Sequence, residues 1–99
     1  MSYKLEFSED ALSKLERLGQ SDAKLLRQLF IKILSLRRSP FPQDSKKLVN
    51  FNYQGLSGYR TDQGEYRIVY AVDEAGKRVL IGAILNRNED YKKLKRLKS

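Results

Sequence analysis

The sequence has 99 residues, 40% of them hydrophobic, which suits one compact domain over residues 1–99 with a single core. Its 20 lysines and arginines outnumber 12 aspartates and glutamates, and the net charge of +8 favours polyanionic partners such as nucleic acid or an acidic protein. Cysteine and histidine are absent, which excludes disulfides, thiolate nucleophiles, imidazole bases and zinc sites built from those residues.

No segment of the sequence points to a membrane or to a cofactor. Apolar residues are interleaved with charged ones, and no apolar run approaches the roughly 20 residues of a spanning helix. The N-terminus lacks the apolar core of a signal peptide. The carboxylates show no spacing typical of a metal site. We therefore expect a soluble cytoplasmic protein that needs neither metal nor cofactor.

The first part of the chain predicts a strand followed by two helices. Apolar side chains alternate with charged ones over residues 3–7, as in a strand with one buried face. Ser8, followed by two acidic residues, is typical of a helix start, and Gly19 is expected to end that helix. Apolar residues at helical spacing predict a second, longer helix from Ser21 to the Ser39-Pro40 pair.

The remaining chain predicts a loop, a three-stranded antiparallel meander and a final helix. Residues 40–58 are interrupted by proline, asparagine and glycine, so a loop with room for a short strand is expected there. The first hairpin loop is expected at Asp62-Gln63-Gly64, and a terminal helix is expected to begin at Asn86 or Asn88. The three strands of the meander are expected at residues 56–61, 64–70 and 78–85.

Arg67 is the residue that a simple strand does not explain. By the two-residue period it shares a face with Val69 and Ala71, opposite the face of the tyrosines in this strand. An arginine there either lies on the solvated side of a half-covered sheet or binds an anion. The strand alone leaves both interpretations open.

Three arginines and a tyrosine fall where the predicted meander brings them together. Arg60, Arg67 and Arg87 come from three consecutive strands or their ends, and Tyr91 follows Arg87 by one helical turn. Cations gathered on one face are costly unless an anion lies among them, so a bound phosphate explains the cluster better than packing does. For Tyr91 alone, packing of the ring on the sheet remains an equal alternative.

These motifs and their spacing resemble the RelE-like toxins of the bacterial RelE/ParE toxin-antitoxin superfamily. The resemblance covers essentially the whole chain and is best at Gly-Glu-Tyr-Arg-Ile-Val-Tyr (residues 64–70) and Asn-Arg-Asn-Glu-Asp-Tyr (residues 86–91). It implies a small α+β fold in which an N-terminal strand and a helical hairpin pack on an antiparallel sheet, with a C-terminal helix. It also implies a metal-independent endoribonuclease that cleaves mRNA in the ribosomal A site and so inhibits translation.

The resemblance assigns roles to the candidate catalytic residues. Arg67 matches an arginine that stabilises charge on the phosphate, and Arg87 matches an arginine that serves the leaving group. Tyr91 matches a tyrosine that orients the attacking 2′-hydroxyl. Without histidine, such groups must carry the attack of the 2′-hydroxyl on the adjacent phosphorus and the protonation of the leaving 5′-oxygen.

The general base is the open part of this assignment. Arg60 falls where a family lysine acts as base or phosphate contact, and a neighbouring family lysine falls on Gly58. Because arginine stays protonated, it is a poor base. Lys46, Lys47 or Tyr91 could take the role, since cation-rich surroundings lower the pKa of a lysine or a phenol.

Contact with RNA backbone is assigned to four lysines, Lys46, Lys47, Lys92 and Lys93. Taken alone, each of these lysines is better explained by a solvated surface. The partners implied by the resemblance are the ribosome with its mRNA, a cognate antitoxin, and operator DNA bound by toxin and antitoxin together.

Two other functions remain as alternatives. A ParE-like inhibitor of DNA gyrase shares the fold and the basic charge but needs no ribonuclease site. A non-catalytic module that binds nucleic acid or only its antitoxin is the third, and the glycine at position 58 keeps it open. The trio of Arg67, Arg87 and Tyr91 favours the ribonuclease.

Overall fold

Seven elements follow one another along residues 2–86, the part of the chain that the computed structural model describes. They are β1 (Lys4–Phe7), α1 (Glu9–Ser21), α2 (Ala23–Ser35), β2 (Lys46–Tyr53), β3 (Leu56–Gln63), β4 (Tyr66–Asp73) and β5 (Arg78–Asn86). The expected C-terminal helix lies outside the described residues. None of the described helices has the length and apolar composition that crossing a membrane requires.

The five strands form one sheet in the order β1-β5-β4-β3-β2. The predicted meander is confirmed as β3, β4 and β5, which pair antiparallel, and β2 extends it on one side. On the other side β1 pairs parallel with β5, so the sheet is mixed rather than wholly antiparallel. This arrangement arises because the two helices and the following loop carry the chain from β1 to the opposite edge of the sheet.

Both helices begin at a side chain that caps the first turn. The Ser8 hydroxyl oxygen accepts a hydrogen bond from the Ala11 backbone N–H at 3.0 Å. The Asp22 carboxylate does the same for Leu25 at 3.0 Å, so the cap is Asp22 rather than the residue before it. Each cap satisfies a backbone donor that the helix itself leaves unpaired.

The prediction that Gly19 ends the first helix is wrong, because α1 continues to Ser21. A Cβ atom added at Gly19 would lie only 2.8 Å from Leu26 Cδ2 on α2. The glycine therefore lies where the two helices approach closely, and a larger residue there would require the end of the Leu26 side chain to move. The second helix also stops earlier than expected, at Ser35, with turn residues before Pro40.

The strand β2 is the largest departure from the sequence prediction, because it occupies eight residues of a segment expected to be mostly loop. Its register with β3 shifts between Lys47 and Asn52. Leu48 and Phe51 pack on the same hydrophobic cluster although they are three residues apart. This bulge breaks the two-residue alternation that would have identified the strand.

The main core lies between the helices and one face of the sheet, called here the helix face. Its buried members are Ala11, Leu15, Leu29, Ile33, Leu36, Ile68, Tyr70, Val72, Val79, Ile81 and Ile84. The opposite face, called here the second face, carries two smaller clusters. These consist of Val69, Ala83 and Leu85, and of Tyr53, Ala71 and Leu80.

A bulge in β5 connects the sheet to the start of α1. The register passes from Val69 opposite Ala83 to Tyr70 opposite Ile81, which leaves Gly82 as an extra residue. The Ser8 hydroxyl donates to the Gly82 carbonyl oxygen at 2.7 Å. The same serine therefore caps the helix and binds the bulge.

The buried phenol of Tyr70 joins the loop after α2 to the sheet. Its hydroxyl donates to the Pro40 carbonyl oxygen at 2.7 Å, and the side chain is only 1% exposed. Burial is the main cause that raises the pKa of Tyr70 to about 12, and the negative charge of Asp44 contributes. The folded state therefore favours the neutral phenol.

We expect Tyr70→Phe to lower the free energy of unfolding at neutral pH by about 1–3 kcal/mol, because the buried Pro40 carbonyl loses its donor. In the wild type, the stabilisation linked to the phenol is fully present below its unfolded pKa of 10.0. It is lost as the pH rises towards the folded value of about 12. The stability difference between wild type and variant should therefore shrink over this alkaline range. Urea unfolding measures it, with Tyr3→Phe as the control, and a difference that stays constant would contradict the expectation.

Candidate functional site

Arg67 lies on the second face of the sheet, as the two-residue period predicts. In β4 it stands opposite Asp62 of β3 and opposite Leu85 of β5. Leu85 belongs to the cluster on the second face, whereas the flanking Ile68 belongs to the core under the helices. The guanidinium group of Arg67 is thus directed away from the main core.

Asp62 brings Arg67 and Arg60 together. Its Oδ1 accepts a hydrogen bond from Arg67 Nε at 3.2 Å, and its Oδ2 lies 3.6 Å from Arg60 Nη1. The side chain of Arg60 is 18% exposed and that of Arg67 is 21% exposed. Most of each side chain is therefore covered, but both remain accessible to solvent. Two predicted site residues therefore share one carboxylate on one face.

The two lysines that open β2 occupy different faces. Lys46 stands opposite Arg60, and paired residues of antiparallel strands project to the same side of a sheet. Lys47 stands opposite Tyr59, whose ring packs on the core of the helix face. The register therefore adds Lys46 to the arginine pair and separates Lys47 from it.

Four predicted site residues lie outside the described part of the chain: Arg87, Tyr91, Lys92 and Lys93. The description ends at Asn86, the last residue of β5, which stands opposite Tyr66. These four assignments accordingly remain predictions from the sequence.

A second carboxylate, that of Asp44, binds the backbone of the strand that carries Asp62. Asp44 precedes β2, and its Oδ1 accepts hydrogen bonds from the buried Thr61 hydroxyl at 2.9 Å and from Lys32 Nζ at 3.3 Å. Its Oδ2 accepts from the Asp62 backbone N–H at 3.3 Å. Burial alone would raise the pKa of Asp44, but these hydrogen bonds outweigh it and hold the pKa below the usual value.

The ring of Phe51 occupies the space above Gly58. A Cβ atom added at Gly58 would lie 2.6 Å from Phe51 Cε2, closer than side-chain carbons approach one another. Gly58 is the position where the resembled family carries a lysine. The chain therefore has a packed aromatic ring where a lysine side chain would have to emerge.

Sequence reasoning missed Asp62 because it placed this residue in a turn. In the structure Asp62 and Gln63 belong to β3, and the turn consists of Gly64, with φ of +60°, and Glu65. The spacing held a usable signal: a two-residue turn at Gly64-Glu65 puts Asp62 and Arg67 directly across from each other. Asp44 and Phe51 carry no comparable signal, since only the tertiary fold brings them to β3.

The chemistry available at this site is that of fixed cations. Among residues 2–86, no group of three histidine, cysteine, aspartate or glutamate side chains is arranged to hold a metal ion. Arg60, Arg67 and Lys46 instead provide planar guanidinium groups and an ammonium group that suit phosphate oxygens. In the structure Asp62 supplies the negative charge between Arg60 and Arg67, and these cations lie together on one face of the sheet.

Several solved structures that share this fold are described as toxins or as toxin-antitoxin complexes. RelE in the archaeal RelE-RelB complex from Pyrococcus horikoshii is 25% identical, with a TM-score of 0.72 over 91% of this chain and 100% of that chain. A mutant of E. coli toxin RelE in the free state is 23% identical, with a TM-score of 0.69 over 97% of each chain. A YoeB/ParE toxin from Agrobacterium tumefaciens is 20% identical, with a TM-score of 0.69 over 84% of this chain and 96% of that chain.

The family follows from the sequence model described as "ParE toxin of type II toxin-antitoxin system, parDE", which matches residues 5–91. Because this match spans most of the chain, the protein belongs to that toxin family, within the RelE/ParE superfamily. The predicted membership in this superfamily is thereby confirmed. No curated protein sequence gives a match.

Proposed function

We propose that this toxin is a metal-independent endoribonuclease that enters the ribosomal A site and cleaves mRNA. The observation that carries the proposal is the pair Arg60 and Arg67, bridged by Asp62 on one face of the sheet. Lys46 stands beside them in register. Cations fixed in this way suit a phosphodiester whose charge grows during the reaction.

In the proposed reaction the 2′-hydroxyl of the substrate loses its proton and attacks the adjacent phosphorus in line, which expels the 5′-oxygen and leaves a cyclic phosphate. Arg67 stabilises the negative charge on the phosphate oxygens, and Arg60 is a second phosphate contact. Arg87 serves the leaving oxygen, and Tyr91 orients the 2′-hydroxyl. The last two roles rest on the resemblance alone.

Lys46, in its neutral amine form, is the described residue best placed to accept the proton. It stands opposite Arg60 and is exposed, so a substrate bound at the arginine pair would lie within reach. Lys47 stands on the other side of the strand, which argues against it. The ring of Phe51 above Gly58 supports a base other than the family lysine of that position.

The expected partners of the toxin follow from its relatives and from its charge. A cognate antitoxin is expected, because the archaeal relative is described in a RelE-RelB complex. The net charge of +8 suits contact with ribosomal RNA backbone and, for toxin and antitoxin together, with operator DNA. All these encounters take place in the cytoplasm.

Inhibition of DNA gyrase is the second candidate, because the matching family model is that of ParE toxins. A gyrase inhibitor needs the fold and a basic surface but no bound phosphodiester in transition-state geometry. The bridged arginine pair favours the ribonuclease over this alternative.

Expression of the chain from a tightly repressed promoter, followed by primer extension on abundant mRNAs, tests the proposal. We expect new 5′ ends within translated codons, absent for an Arg67→Ala/Arg87→Ala variant and absent when translation is blocked. Growth arrest with intact mRNA and altered plasmid supercoiling would favour gyrase inhibition instead. Absence of any arrest would favour a non-catalytic binding module.

A further inference from the structure

Asp62 lies between the two arginines that the proposed function uses for phosphate. It stands directly opposite Arg67, and Arg60 precedes it by two residues on the same face of β3. Its Oδ1 accepts from Arg67 Nε at 3.2 Å, and its Oδ2 lies 3.6 Å from Arg60 Nη1. One carboxylate thus contacts both guanidinium groups, one through each oxygen.

The backbone of Asp62 is itself held in place at the edge of β3. Pairing with β2 begins where Lys46 stands opposite Arg60, so the strand beyond Arg60 has no β2 partner at that edge. There the Asp62 N–H donates to Asp44 Oδ2 at 3.3 Å. Asp44 is in turn fixed by the buried hydroxyl of Thr61 at 2.9 Å. The backbone that carries the Asp62 carboxylate is therefore held in place by hydrogen bonds.

We propose that Asp62 is a positioning residue, which orients the guanidinium groups of Arg67 and Arg60 toward a phosphodiester of RNA. The inference rests on the proposed ribonuclease function and adds a residue that does not touch the reacting atoms. Two neighbouring cations repel each other, and each arginine side chain has several rotamers. A carboxylate between them reduces the repulsion and limits the rotamers before the substrate arrives.

This role predicts opposite effects on RNA binding and on catalysis. Loss of the Asp62 charge makes the surface more positive, so affinity for RNA backbone should hold or increase. The arginines would at the same time lose their fixed orientation, so the rate of the bound reaction should fall. A residue needed only for folding would instead lower binding and turnover in parallel.

The test compares Asp62→Ala and Asp62→Asn with Glu65→Gln, a control that removes one negative charge from the adjacent exposed turn. We expect Asp62→Ala to lower kcat for ribosome-dependent mRNA cleavage roughly 10- to 100-fold. The Kd for a fluorescein-labelled single-stranded RNA oligonucleotide, measured by anisotropy, should stay equal or fall. The kcat of Asp62→Asn should lie between those of the wild type and of Asp62→Ala, because the amide oxygen still accepts a hydrogen bond from Arg67. Glu65→Gln should leave kcat unchanged.

An NMR measurement separates failure of this inference from failure of the proposed function. The Nε–Hε signal of Arg67 should be protected from exchange in the wild type and in Glu65→Gln, and should lose protection in Asp62→Ala. Wild-type protein that cleaves no mRNA would overturn the ribonuclease and with it this role, even if the ion pair is seen. Active wild type with unchanged kcat and an unchanged Arg67 signal in Asp62→Ala would overturn the positioning role alone. A parallel loss of folding, binding and turnover would do the same.

Discussion

Arg67→Ala is expected to abolish growth arrest and to lower the rate of mRNA cleavage by about 10²–10³-fold, the usual cost of losing one fixed donor to a developing oxyanion. The substitution removes the group that stands directly opposite Asp62 on the second face of the sheet. Rates are measured by primer extension in a translating extract at known toxin concentration. The loss should appear in kcat as well as in kcat/KM, because the contact strengthens as charge develops.

The fold should survive Arg67→Ala. Asp62 keeps Arg60 as an ionic partner, and an ion pair of this partly exposed kind contributes only about 0–1 kcal/mol. Arg27→Ala, at an exposed position on α2, is the matched control, since it removes the same charge far from the site. Equal toxicity of the two variants would mean that Arg67 is a solvated surface arginine, and the ribonuclease proposal would lose its main support.

Gly58→Lys is expected to destabilise the protein although it restores the residue type of the resembled family. Gly58 is not among the positive-φ glycines of residues 2–86, so its backbone suits a lysine and the obstacle is the Phe51 ring. Overpacking of this kind typically costs about 1–3 kcal/mol. In a domain of this size each kilocalorie lowers Tm by about 4–8 °C. Urea and thermal unfolding measure the loss.

A double-mutant cycle makes the Gly58 prediction specific to the ring. Phe51→Ala alone should also destabilise, because the ring packs on Val69 and its neighbours. The double variant Phe51→Ala/Gly58→Lys should lose less unfolding free energy than the two single variants lose together, because removal of the ring makes space for the lysine. Ser57→Lys, at the exposed neighbouring position, is the control. If Gly58→Lys were as stable as Ser57→Lys, the ring would not fill the space above the glycine.

The sequence predicts those parts of the fold that depend on local residue patterns. The Ser8 cap, the alternation around Arg67 and the third meander strand at residues 78–85 are each predicted from the sequence, and the structure agrees with all three. The face of Arg67 could be predicted because side chains alternate between the two faces of a regular strand, so Arg67 must lie opposite the face of Ile68 and Tyr70. Burial on both sides explains why β5 reads as a continuous apolar run.

The errors fall where tertiary contacts override local preference. Gly19 has the usual signature of a helix end, yet its space is taken by Leu26 of the next helix. Asp62 has a high preference for turns, yet cross-strand pairing with Arg67 and the hydrogen bond to Asp44 hold it in a strand. In both cases a contact with a neighbouring element, Leu26 on α2 or Arg67 on β4, decides the outcome against the local preference.

The candidate site was therefore predictable only as a set of cations. Arg60, Arg67 and Lys46 could be named from residue type and position, and the register brings them to one face. The Asp62 carboxylate that joins the arginines could be placed only once the turn is assigned to Gly64-Glu65, and the Phe51 ring above Gly58 could not be predicted, because it depends on the irregular register of β2 with β3.

The pairing of β1 with β5 has a consequence for when this toxin can fold. Strand β1 takes its place in the sheet only beside β5, which ends at Asn86. The hydrogen bond from Ser8 to Gly82 likewise joins residues 74 positions apart. Such contacts of high sequence separation form late. A nascent chain therefore cannot complete this sheet until β5 has left the ribosome, however early β1 and the two helices are made.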